Sequence, residues 1–181
     1  TSLTNLAIAE QHLGAPKVAR ALQQRALAIL EKSVGREHPS VAQVLVELAK
    51  LERDANDLSA AREHYERALA IREQVLGPDH PGLQDALAGL AELALAAGRT
   101  GDAAALATRA LTLGESHKLP EADLASTRFV LARSLWDLPK GAGRDRSRAL
   151  ALARLARTTW RTADASASLR DVDRWLAKHR G

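Results

Sequence analysis

Across 181 residues the chain has 37 alanines and 30 leucines, only 3% aromatics, neither cysteine nor methionine, and a net charge of +4. No disulfide framework or thiolate metal site can form, no run of about 18 apolar residues offers a membrane span, and β-branched and aromatic residues are too sparse for a sheet protein. What is left is an all-α chain with a core of small and medium side chains. Its lack of cysteine is consistent with a reducing, cytoplasmic setting. A start at Thr1-Ser2-Leu3, with no leader, reads as a piece of something longer.

The chain repeats itself at 42 residues. Arg25-Ala26-Leu27-Ala28-Ile29 recurs as Arg67-Ala68-Leu69-Ala70-Ile71 and, more loosely, as Arg109-Ala110-Leu111-Thr112-Leu113. Leu6-Ala7, Leu48-Ala49 and Leu90-Ala91 keep the same step, as do Ala19, Ala61 and Ala103, and Gly14, Asn56 and Gly98. Each unit predicts two helices. In the second unit the first helix carries Leu45, Leu48, Ala49 and Leu51 on one face and ends at Asn56, where the other units have glycine, the residue that tolerates a left-handed closing turn. The second runs from Leu58 to Leu76, with Ala61, Tyr65, Ala68, Leu69 and Ile71 on one face, and stops at Gly77-Pro78-Asp79-His80-Pro81. Alanines 49, 61 and 68 are expected where the two helices cross closely, and the leucines between successive hairpins.

A fourth unit is more divergent. Leu131-Ala132 and Ala149, Ala153 and Ala156 keep the pattern, but the loop Leu138–Arg144 is longer and the register slips. A last helix near 166–180 presents Leu169, Val172, Trp175 and Leu176 on one face, as a capping helix requires. The predicted organisation is a single domain of units at about 1–38, 39–80, 81–119 and 120–163, closed by that helix.

The segment Val41-Ala42-Gln43 … Leu48-Ala49 … Ala61 … Tyr65-Glu66-Arg67-Ala68-Leu69-Ala70-Ile71 through Gly77-Pro78-Asp79-His80-Pro81 closely resembles the 42-residue, kinesin-light-chain-like type of tetratricopeptide repeat. That resemblance implies a right-handed superhelical solenoid of helix hairpins and a protein-interaction role. Phe129-Val130-Leu131-Ala132-Arg133-Ser134-Leu135-Trp136, an Arg/Ala-rich helix and the ending Trp175-Leu176-Ala177 resemble the C-terminal tails of bacterial, notably myxobacterial, serine/threonine kinases that carry such repeats. The implied parent is a signalling kinase, with this chain as a non-enzymatic regulatory or docking arm. The kinase signatures themselves are absent: no Gly-rich loop, His-Arg-Asp or Asp-Phe-Gly.

Nor does any other chemistry converge. The six histidines show no metal-ligand spacing, Glu63-His64 lacks the second histidine of a zincin helix, and no Gly-x-Ser-x-Gly elbow occurs. His38 and His80, each before a proline and 42 apart, read as parts of a repeated helix stop. No catalytic residue, cofactor or metal is expected.

Binding is the better expectation. By family register the concave, groove-facing positions are Thr4, Asn5, Ile8, Gln11, Val46, Glu47, Lys50, Arg53, Asp85, Ala88, Gly89, Glu92, Phe129, Val130, Arg133 and Trp136. The polar and aromatic members, Asn5, Gln11, Glu47, Lys50, Arg53, Asp85, Glu92, Arg133 and Trp136, form the candidate site for a peptide or protein. Asn5 matches the asparagine with which kinesin-light-chain-type repeats hold a peptide backbone; Glu47, Gly89 and Val130 depart from it. The small Ala88-Gly89 centre is expected to seat a bulky partner side chain. Self-association or autoinhibition is the alternative. Trp136, Trp160 and Trp175 are expected in the core of the last unit, with Trp160 meeting Trp175. Residues 128–181 carry 13 Lys/Arg against 5 Asp/Glu, whereas residues 1–127 carry 13 against 17. Read alone, that basic third is a solvated arginine-rich surface, with an acidic partner or nucleic acid as the weaker readings, since no nucleic-acid motif accompanies it.

Overall fold

A computed structural model describes residues 2–179 of the chain, apart from the side chain of His12. The end of the expected last helix, at Arg180, lies outside the described residues, and so does the start at Thr1. Among the described residues there are nine α-helices and no strand: α1 Ser2–His12, α2 Pro16–Val34, α3 Pro39–Asp54, α4 Leu58–Leu76, α5 Gln84–Ala96, α6 Thr100–Ser116, α7 Glu121–Asp137, α8 Arg146–Thr162 and α9 Ser166–Lys178. A 3-10 turn, Pro81–Leu83, leads into α5. The helices gather into two compact units, Thr1–Gly89 and Leu90–Gly181.

The turns explain why the repeat folds as it does. At Gly14, Asn56 and Gly98 the backbone enters the left-handed region, at φ 78, 63 and 74. Each closure is sealed by the same bond across it: Ala15 N–H to Glu10 O, Asp57 N–H to Glu52 O and Arg99 N–H to Ala94 O, at 2.9, 2.8 and 2.9 Å. This six-to-one bond satisfies a carbonyl that the helix end leaves without a partner. The same closure recurs at Lys118 and Asp164, with Leu119 N–H bonding Gly114 O and Ala165 N–H bonding Trp160 O. Lysine at such a place carries no sequence signal.

His38 and His80 start helices rather than stop them. The stop belongs to Gly35 and Gly77, whose φ of 89 and 86 with extended ψ is a conformation nearly confined to glycine. Each histidine then caps the helical segment that begins behind it. His38 Nδ1 accepts from Ser40 N–H at 3.1 Å and His80 Nδ1 from Gly82 N–H at 2.9 Å. Pro39 and Pro81 sit at the first helical position, where a missing N–H leaves no bond unmade. Replacing His38 or His80 by alanine is expected to cost about 1 kcal/mol, within the roughly 0.5–2 range of lost caps. Aspartate at the same place should recover most of it, read from urea melts; equal melts for alanine and aspartate would contradict the capping role.

In the first unit α1 packs on α2, α2 on α3 and α3 on α4. Ala49, Ala61 and Ala68 are fully buried there, as are Val41, Leu45, Leu48, Tyr65 and Ile71. In the second unit α6 packs on α7, α7 on α8 and α8 on α9. Its core joins Ala107, Leu111, Leu124, Leu131, Ala149, Ala153 and the fully buried Val172 of α9, with Leu169, Trp175 and Leu176 packed against it. The apolar face expected of the last helix is thus the face it buries.

Candidate functional site

The candidate residues divide by unit and by fate. In the first unit, α3 carries a polar row that reaches solvent. Gln43 Nε2 donates to Glu47 Oε1 at 3.4 Å, and Lys50 Nζ donates to the same oxygen at 2.9 Å. Arg53, one turn further, grips Asp54 through Nε and Nη2 at 3.1 and 2.9 Å. Opposite this row lie the buried Val41, Leu45 and Leu48, so the helix has one face for the core and one for water. Asn5 is exposed and Gln11 half-buried on α1.

Other expected positions are taken by the chain itself. Val46 is fully buried, and Ala88 nearly so, so neither reaches a groove surface. Gly89 is no open seat: a methyl built on it would lie 2.6 Å from Cε1 and Cε2 of Tyr65, whose ring already fills that place. Asp85 is an anchor rather than a free carboxylate. It pairs with Arg72, which also donates to Gly82 O at 2.7 Å and Gln43 Oε1 at 2.9 Å, tying α4 to the turn before α5.

A second buried polar cluster had no local sequence signal. Glu52, almost wholly buried, accepts from Arg20 Nη2 at 3.2 Å and meets His64 Nδ1 at 2.6 Å, while Arg20 also reaches Asp57 at 3.1 Å. His64 therefore has its partner on α3, twelve residues back, not on its own helix. Arg20 supplies the countercharge that a buried carboxylate requires, so the cluster locks α2, α3 and α4 together.

In the second unit Glu92 is half-buried on α5, and Arg133 is exposed on α7 with its guanidinium 5.8 Å from the Phe129 ring centre. Trp136, expected in the groove, is half-buried among neighbouring side chains. Its ring meets Trp175 edge-to-face at 5.6 Å and His179 at 4.7 Å, and Arg146 lies over it at 4.6 Å. Phe129 lies between Trp160 and Trp175, at 5.7 and 5.9 Å, so the two tryptophans meet through Phe129 rather than directly. Val130 is buried. In the middle of α7, Arg128 is buried against Glu121 at the start of its own helix and, at 3.5 Å, Glu115 of α6. Its donated hydrogen bond holds Glu121 below the usual carboxylate range, and the same bond raises the arginine, each against some desolvation. Among the described residues no group of His, Asp and Glu is placed to hold a metal ion, and no helix is long and apolar enough to cross a membrane.

Helix hairpins with repeated, fully buried alanines and a shared left-handed closure are the pattern against which known proteins compare. The family model for the tetratricopeptide repeat matches residues 1–74 and 59–116. The chain belongs to the tetratricopeptide repeat family. A comparison with curated proteins finds no match. Among solved structures, the crystal structure of BtubC (BKLC) from P. vanneervenii aligns with a TM-score of 0.72 at 20% identity, covering 90% of this chain and 63% of that one. This chain thus spans under two thirds of that relative. Nearly identical TPR-like repeats of a kinesin light chain from Podosopora anserina align with a TM-score of 0.66 at 20% identity, covering 98% of this chain and 93% of theirs. A single-substitution variant of the same repeats gives 0.66 at 21% identity, over 98% and 94%. At these identities the likeness is one of fold. Tetratricopeptide repeats serve generally as protein–protein interaction modules and are typically non-catalytic.

Proposed function

We propose that this chain binds a peptide or protein through the outward faces of its first helices, as the cytoplasmic C-terminal regulatory or docking arm of a bacterial signalling protein with a serine/threonine kinase-like parent. The observation that carries the binding reading is the α3 row. Gln43, Glu47, Lys50 and Arg53 stand on the accessible side of a helix whose other side is locked into the core. Such a surface is pre-formed, so little ordering entropy opposes the approach of a partner. The exposed Asn5 on α1 and Arg133 on α7 are further contact positions, as is the half-buried Glu92 on α5. The parent assignment rests on the resemblance of Phe129–Trp136 and the Trp175-Leu176-Ala177 ending to kinase tails. A source reading frame without His-Arg-Asp and Asp-Phe-Gly upstream would remove it.

Glu47 and Lys50 allow a clean test because they pair with each other. Exchanging them, Glu47→Lys with Lys50→Glu, keeps an i,i+3 ion pair on α3 and therefore nearly all of its stability. The charge pattern offered outward is inverted. A partner recovered with the native chain should bind the exchanged chain on the order of ten-fold more weakly or worse, with unchanged helicity. Equal affinity would take α3 out of the site.

A further inference from the structure

Helix α8 carries Arg146, Arg148, Arg154, Arg157 and Arg161 and no acidic residue in its 17 positions. An ordinary solvated helix mixes its signs. On α4, another second helix of a hairpin, Arg62, Arg67 and Arg72 stand with Glu63, Glu66 and Glu73, and Arg62 faces Glu66 one turn on. On α8, by contrast, Arg154, Arg157 and Arg161 follow one another at i,i+3 and i,i+4, a spacing at which like charges repel. The fold neutralises little of this charge. Asp173 of α9 pairs with Arg157, and Arg146 lies over Trp136. Among the described residues no carboxylate forms an ion pair with the guanidinium of Arg148, Arg154 or Arg161, Asp145 bonding only the backbone N–H of Arg148, and all three side chains are exposed. Between them Leu155 stands 51% exposed, and Ser147, Ala151, Thr158 and Thr162 are exposed short side chains that leave the arginines and the leucine proud of the surface. Thr158 and Thr162 direct their hydroxyls to backbone carbonyls of their own helix.

We propose that the outer face of α8 is a second docking surface, separate from the first-helix faces, and that its partner is an acidic protein segment. Three features favour carboxylates on a polypeptide over a nucleic acid. The face already binds one carboxylate borne by a helix, Asp173 on Arg157. Leu155 offers an apolar contact that a phosphate backbone has no group to use. And the aromatic rings of this unit are engaged with one another edge-to-face, leaving no stacking platform of the kind that single strands occupy. Guanidinium forks match carboxylates in two-point geometry, which suits arginine rather than lysine to the task.

The test titrates the whole chain, by fluorescence anisotropy near physiological salt, into two probes. One is a peptide of Glu, Asp, Leu and Ala as long as α8; the other is a duplex DNA of matching length. The native chain should bind the peptide. Arg154→Glu with Arg161→Glu should weaken that binding on the order of ten-fold or more. Leu155→Ser should weaken it a few-fold, and circular dichroism should stay unchanged because every substituted side chain is exposed. Peptide binding indifferent to the arginine reversal overturns the proposal, as does failure to bind. DNA bound more tightly than the peptide, and insensitive to Leu155→Ser, would also overturn it in favour of a polyanion surface.

Discussion

Tyr65→Ala is expected to destabilise the first unit by about 3–5 kcal/mol, the range for deleting a large buried aromatic side chain. Tyr65 is 1% exposed, and its ring lies against the backbone of Gly89 on the neighbouring hairpin's first helix. The partner substitution is the more discriminating one. In an exposed helix interior, exchanging glycine for alanine stabilises by up to about 1 kcal/mol, because alanine loses less backbone freedom. Gly89→Ala should do the reverse here and cost about 1–3 kcal/mol, since its methyl falls inside the volume of the ring and both elements are closely packed. Tyr65→Leu, which withdraws the ring but keeps an apolar filler, should remove that penalty when combined with Gly89→Ala. A double-mutant cycle on urea melts measures this coupling. A higher melting temperature for Gly89→Ala alone would show that Tyr65 does not hold the place over Gly89.

That pair also marks where sequence reading stops. The helices are legible because their causes are local and periodic. Ala49, Ala61 and Ala68 recur at fully buried positions, Gly14, Asn56 and Gly98 recur at the closures, and Gly35 and Gly77 recur at the stops. The second helix of unit two is found where its pattern places it, at Leu58–Leu76. The accessible surface is less legible, because whether a groove position stays open depends on a side chain far away in the chain. Gly89 reads as vacant, yet Tyr65 fills its place; Asp85 reads as free, yet Arg72 holds it. Tyr65 has Gln23 and Ala107 as its register mates, so the repeat gives no warning of a ring there. Glu52 and His64 form a pair only because α3 folds back on α4. The basic third is visible as a count, but its concentration on the outer face of α8 needs the helix phase and the pairing of Arg157 with Asp173.

The second large effect is expected at Trp175. Its indole meets Phe129, Trp136 and His179, at 5.9, 5.6 and 4.4 Å, and with the fully buried Val172 it fixes α9 to the second unit. Removing it deletes the contact area and two edge-to-face pairs, each worth about 0.5–1.5 kcal/mol beyond area. Trp175→Ala should therefore cost about 3–5 kcal/mol. A helix of 13 residues is too short to persist in water without its packing. The loss should consequently be regional: amides of 166–178 should exchange first, and ellipticity should fall by about one short helix before the remainder of the unit melts. Trp160→Ala, which removes one ring contact with Phe129, should cost less and leave α9 protected. The same comparison separates two roles for Trp136. As a free groove residue it could be truncated with no loss of stability, whereas its contacts with Trp175 and His179 require Trp136→Ala to loosen α9 as well. Native exchange protection of 166–178 in both Trp136→Ala and Trp175→Ala would return Trp136 to the partner-binding face and leave α9 held by Val172, Leu169 and Leu176 alone.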